Sequence, residues 1–326
     1  MVRFDIIHTR LVRGMFAGGL ALALTATGRV AAQPQYDGIV VFGTSLSDSG
    51  NAFALRDGTN TPPDYLVDLL LIPGAPYAKG GHHFTNGATW VEQFARSRGL
   101  AGTVRPAFRG SSAVATNYAV GAARAYDDGR NVNLSAQVDA FLAASGGVAS
   151  PAALYVIEMG GNDVRDALVA YPNGGHMAVI QQALTSIAAN IGRLYGAGAR
   201  DFLVWSAPNP ALTPAIRYLD TIAPGTAQLA TGLTLAFNGN LASIVAQWSA
   251  APGIRMARLD AFALLNEIVA DGNRFSLTDV TSACITPPEA PFACTNPDEF
   301  LFWDGIHPTA AVHAIIAQRA ASVLGQ

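Results

Sequence analysis

Four short, nearly unbroken apolar runs constrain the fold most. Residues 38–43, 152–159 (AALYVIEM), 201–206 (DFLVWS) and the weaker 254–259 (IRMARL) have strand length and little polar alternation. Strands of that kind are buried on both faces, as in a parallel sheet covered by helices on either side. Helical patterns lie between them. Met177, Ile180, Leu184, Ile187, Ile191 and Leu194 recur at three and four, and Gly196 and Gly198 close the run. Residues 229–249 and 308–324 also read as helices, with Pro308 placed in the first turn of the last one. The expected class is α/β, with ligands held at the carboxyl ends of the strands. Residues 54–88 and 272–303 fit neither period. Irregular stretches that long tend to line or cover a site.

The 326 residues show no internal repeat, low-complexity tract or clear linker. Residues 1–32 read as a secretory signal. Arg3, Arg10 and Arg13 form a basic start, residues 15–27 an apolar centre, and Val30, Ala31 and Ala32 a small-residue cleavage site. The apolar centre is too short and interrupted to span a bilayer, although a retained N-terminal anchor is the alternative. Residues 33–326 are then one domain, exported to the periplasm or the medium. No other apolar segment reads as long enough to cross a membrane, and no outer-membrane barrel is expected to follow the last helix. The formal charge of −3, without a Lys/Arg cluster, argues against nucleic acid as a partner. The two cysteines, Cys284 and Cys294, read as a disulfide in an exported chain. Without a histidine or further cysteine beside them they make a poor metal site.

Candidate chemistry begins where the first strand stops, at IVVFGTSLSDSGN. Gly43 allows a tight turn, and Ser45 follows it at the strand's carboxyl end. Ser47 and Ser49 are close by, and any of the three is also a plausible turn or cap residue. A nucleophilic serine needs a base, and the base needs an orienting group. His307, in FWDGIHPT, has Asp304 three residues before it on the same turn. An oxyanion needs hydrogen-bond donors. Asn162, in MGGND after the second strand, and Gly121, in NYAVGAA, are candidates, though both also suit ordinary turn and packing roles.

Together these blocks resemble the GDSL esterases and lipases, or SGNH hydrolases, and among them the secreted bacterial phospholipase, haemolysin and esterase branch. FGTSLSDSGN, FTNGATWVEQFA, NYAVGAA, GGND and FWDGIHPT stand in the family's order from about residue 38 to the last helix. The resemblance implies a flavodoxin-like three-layer α/β/α sandwich. It implies Ser45 as nucleophile, His307 as general base and Asp304 as its orienting acid. The implied oxyanion hole comprises the N–H groups of Ser45 and Gly121 and the side chain of Asn162. No metal and no organic cofactor are implied. The implied substrate is a small-molecule or lipid ester; peripheral contact with membrane lipid stays open, and no obligate protein partner is evident.

Two departures stand out. Thr44 occupies the place of the Asp for which the family is named, and Ala122 follows Gly121 where a second Gly is frequent. The expected activity is an exported serine ester hydrolase working through an acyl-serine. An acyltransferase using the same intermediate, or a silent binding scaffold caused by Thr44, are the alternatives. Tyr65, Leu69, Leu70, Leu71, Ile72 and Tyr77 form either an acyl-contacting lip or a small cluster packed under a loop.

Overall fold

The computed structural model describes residues 36–58, 69–78, 80–110, 114–285 and 293–325. The signal-like residues 1–32, and Tyr65, lie outside the described residues. Strand β1 (Ile39–Gly43) is followed by helices α1 (Asn51–Leu55), α2 (Trp90–Arg96) and α3 (Leu134–Ala144). Next come β2 (Leu154–Glu158), α4 (Gly161–Ala170), α5 (His176–Ala197) and β3 (Asp201–Trp205). Then follow α6 (Pro214–Ile222), α7 (Thr226–Ser249), β4 (Arg255–Leu259) and α8 (Ala261–Ala270). A short pair, β5 (Asp279–Ala283) and β6 (Phe300–Phe302), precedes the last helix, α9 (Ala310–Val323).

Strands β1 to β4 form one parallel sheet in the order β1-β2-β3-β4. Residues 116–120 run along the free edge of β1. Val41 N–H donates to Thr116 O at 2.9 Å, Tyr118 N–H to Val41 O at 2.7 Å, and Val120 N–H to Gly43 O at 3.1 Å. With that segment outside β1, the order is the flavodoxin-like one that the resemblance implied, and its ligand crevice lies at the carboxyl ends near β1.

The sheet is buried on both faces, as its unbroken apolar strands require. Val40 and Phe42 point to a core shared with α3, α5 and α7, including Val138, Ile187 and Phe237. Ile39 and Val41 point the other way, to Trp90 and Phe94 of α2, Leu264 of α8 and Ile316 of α9. That period-two split is what makes three layers. β4 is the exposed edge, which explains its weaker apolar signal: Arg255 is exposed and pairs with Asp201 of β3.

Three sequence expectations change. Pro308 precedes α9, and Thr309 caps it, accepting the Val312 N–H. Residues 272–303 are not structureless, because they carry β5 and β6, paired in parallel. Among the described residues, α7 is long and apolar enough to cross a membrane by length and composition. One face of it is nevertheless core: Leu233, Phe237 and Leu241 are buried, and Asn238 exchanges hydrogen bonds with the backbone of Ala207.

Candidate active site

Ser45 sits in the turn that ends β1, and that turn is held from three sides. Gln137 of α3 grips both backbone groups of Gly43: its amide oxygen accepts the N–H at 2.8 Å, and its amide nitrogen donates to the carbonyl at 2.9 Å. Glu158, the last residue of β2, accepts the Thr44 N–H at 2.9 Å and the Thr44 hydroxyl at 3.0 and 3.1 Å. Trp90 Nε1–H donates to Ser47 Oγ at 2.9 Å. Thr44 therefore braces the turn with a carboxylate lent by the neighbouring strand. Burial pushes the Glu158 carboxyl up to about 7; hydrogen bonds from Thr44 and Ser47 oppose the rise, and the negative charge of Asp163 adds to it.

The partners of Ser45 arrive from the far end of the chain. His307 Nε2 lies 2.8 Å from Ser45 Oγ, and His307 Nδ1 lies 2.7 Å from Asp304 Oδ2. The other oxygen of Asp304 accepts the backbone N–H groups of Ile306 and His307 at 2.9 and 2.7 Å, which fixes the turn. Tyr77 donates its hydroxyl to Asp304 Oδ2 at 2.9 Å. Asp304 is wholly buried and His307 is 4% exposed. Gly305 admits no side chain, since a Cβ there would lie 1.8 Å from the Leu70 carbonyl oxygen. Phe84 packs on the imidazole with ring centroids 5.3 Å apart. A hydroxyl, an imidazole and a buried carboxylate so linked can move a proton off the serine and hold the resulting imidazolium.

Of the three expected oxyanion donors, one is engaged within the protein. The Gly121 N–H donates to Asp48 Oδ2 at 2.8 Å, and so is not free for an oxyanion. Asp48 is a buried carboxylate that also accepts the N–H groups of Gly50, Asn51 and Ala52 at the start of α1. Desolvation still holds its pKa above the usual carboxylate range. Gly121 lacks a side chain for a steric reason: a Cβ would meet the Phe84 ring at 2.2 Å. Among the described residues, the N–H groups of Ser45 and Ala122 have no acceptor. Ala122 holds a left-handed backbone with φ 67°. Asn162, in the first turn of α4, donates one amide hydrogen to Ala123 O at 2.8 Å and retains the other.

Ser45, Asn162 and His307 line a cavity with about 1130 Å³ of empty space, mouth included. Leu264 and Ile268 of α8 and Ile316 of α9 form an apolar wall, while Asn162, Arg165 and Leu168 come from α4. Of the expected lip, Ile72 reaches the cavity, whereas Tyr77 is spent on Asp304 and Leu69 is exposed. Two supports escaped the sequence reading. Glu158 had a signal, as the lone acid inside an apolar run; Tyr77 had none beyond its aromatic ring. A second buried histidine, His313, is not part of this chain of bonds. Its Nδ1 accepts the Trp90 N–H at 3.1 Å, and burial, then His307, pushes its pKa down to about 3. Among the described residues no group of three or more His, Cys, Asp or Glu is placed to hold a metal.

The GDSL-like lipase/acylhydrolase family matches residues 39–320. The chain belongs to that family. A GDSL esterase/lipase of Arabidopsis thaliana is 28% identical, with 87% of this chain and 82% of the relative aligned. A second from the same plant is 24% identical over 93% of this chain and 94% of its own. The thermolabile hemolysin of Vibrio parahaemolyticus is 23% identical over 89% of this chain and 64% of its own. Membership carries an ester-hydrolysing, esterase- or lipase-like function. The expected disulfide is present: Cys284 and Cys294 are bonded, with Cα atoms 4.9 Å apart.

Proposed function

We propose that this protein is an exported serine ester hydrolase that cleaves carboxylic esters through an acyl-serine. The carrying observation is the unbroken hydrogen-bond chain from Ser45 Oγ through His307 to buried Asp304. Ser45 Oγ attacks the ester carbonyl while His307 takes its proton, and Asp304 stabilises the imidazolium. The N–H groups of Ser45 and Ala122 and the free amide hydrogen of Asn162 hold the oxyanion. The alcohol leaves with the proton from His307. Water, deprotonated by the same imidazole, then releases the acid. The disulfide and the signal-like residues 1–32 support export. The Thr44–Glu158 bonds support a firm turn despite the missing family aspartate.

The test is hydrolysis of p-nitrophenyl acetate, butyrate and palmitate by the protein without residues 1–32, with Ser45→Ala in parallel. Turnover that disappears in the variant is the expected result. Equal turnover by the variant would overturn the mechanism.

A further inference from the structure

Arg165 is the one cation lining the cavity among the described residues, and it has no partner there. It makes no hydrogen bond and no ion pair with any described residue. Its sequence neighbour Asp166 is committed elsewhere: it takes Arg124 through Nε at 2.8 Å and the Tyr126 hydroxyl at 2.8 Å. The one acid on the lining among the described residues, Glu158, is bound to Thr44. A half-buried guanidinium without a counter-ion is an expensive arrangement to keep. Burial, and then the charge of Arg124, lowers its pKa against an opposing pull from the nearby charge of Asp166, and a guanidinium stays charged under such conditions.

Its place in the cavity gives the arrangement a use. Arg165 is one helical turn beyond Asn162 on α4, so the two share a face of that helix. The opposite wall, from α8 and α9, carries no charged side chain: Ala261, Leu264, Ile268, Val312 and Ile316 line it. An uncharged acyl chain suits that wall, and a charged alcohol part suits the α4 side. Trp205 Nε1–H, buried on the same lining, is a further donor without an acceptor.

We propose that Arg165 selects esters whose alcohol part carries an anionic oxygen group, a carboxylate or a phosphate, and holds that group while Ser45 faces the carbonyl. The proposal rests on the serine hydrolase reading and deepens it. Guanidinium pairs with either group in the same two-pronged way, so the chemistry is shared and the two sources need separate arms.

The experiment measures binding apart from turnover, by titrating Ser45→Ala and following tryptophan fluorescence. In the carboxylate arm, 3-carboxy-4-nitrophenyl butyrate is compared with its neutral methyl ester. In the phosphate arm, 1-butyrylglycerol 3-phosphate is compared with 1-butyrylglycerol. The expected result is that the anionic member of at least one pair binds about tenfold tighter or more, with the preference shrinking as salt rises. Adding Arg165→Met should abolish the preference, and Arg165→Lys should keep part of it. Thermal melting of each variant verifies that it is folded. Equal affinity within both pairs, or a preference that survives Arg165→Met, would overturn the proposal. Turnover of the neutral butyrates by the wild-type protein tests the serine hydrolase reading separately, so either can fail alone.

Discussion

Thr44→Asp restores the residue for which the family is named, and the structure makes it a damaging change. The Thr44 hydroxyl is within 3.1 Å of both oxygens of Glu158, and the two residues are 4% and 3% exposed. An aspartate there faces a second carboxylate with almost no water between them. Two like charges about 4 Å apart repel by about 4 kcal/mol at an effective dielectric of 20. The lost hydrogen bond onto a charged acceptor adds about 1.5 kcal/mol. The pair limits the damage by keeping a proton. Glu158 already titrates at about 7, so at about pH 8 that proton costs only about 1.4 kcal/mol, one pH unit. The variant should therefore lose about 2–4 kcal/mol at about pH 8 and about 1 kcal/mol at about pH 5.5, where Glu158 is protonated in the wild type too.

The sign follows from linkage. A carboxyl whose folded pKa is raised binds its proton more tightly in the folded chain. Its contribution to stability is therefore greatest in acid and falls as pH rises through about 7. A still higher folded pKa in the variant carries that fall on to higher pH. Urea unfolding followed by circular dichroism at both pH values gives the penalties. Glu158→Gln in the same chain should recover most of the loss, because an amide donates to the new carboxylate and still accepts the backbone N–H. A variant as stable as the wild type at about pH 8 would refute the reasoning. So would an equal loss at both pH values with no rescue by Glu158→Gln.

Two further outcomes follow from the backbone. Ala122→Gly should stabilise the fold by about 1 kcal/mol in denaturant midpoints, because a left-handed φ of 67° is costly for alanine and free for glycine; a less stable variant would contradict it. Reduction of Cys284–Cys294, which are ten residues apart, should cost about 3 kcal/mol in the chain-entropy model. Because Cys284 and Ile285 donate N–H groups to Phe302 and Trp303, just before Asp304, esterase activity should fall before circular dichroism reports unfolding; coincident loss of both would contradict that local role.

The sheet was legible because its strands are buried on both faces. Residues such as Val40 and Val41 face opposite cores, so their run had to be apolar throughout, and only the exposed edge strand β4 blurred. Short helices were less legible. The five-residue α1 starts on the Asp48 carboxylate, and such a link between a side chain and later N–H groups leaves no periodic trace. The same is true of β5 and β6, whose pairing joins residues about twenty positions apart and leaves most of β5 partly exposed. The serine, histidine and aspartate stood out because their spacing and order form a recognisable set. Glu158 did not, because its role depends on Thr44, which lies 114 residues away.

Gly121 shows why a motif residue can be found while its contacts stay hidden. A glycine states that a side chain does not fit, and leaves open which neighbour forbids it. Here that neighbour is Phe84, whose ring fills the Cβ position of Gly121 and also packs on the imidazole of His307. The glycine thus serves the placement of the base. Its N–H serves Asp48, which ties the 117–121 segment to the start of α1 and so to the serine turn. The unpaired N–H falls one residue later, on a residue that keeps the left-handed turn at an energetic cost. Strain of this kind persists only where the surroundings over-determine it, and here the Phe84 ring and the Asp48 hydrogen bond together fix the residue just before Ala122.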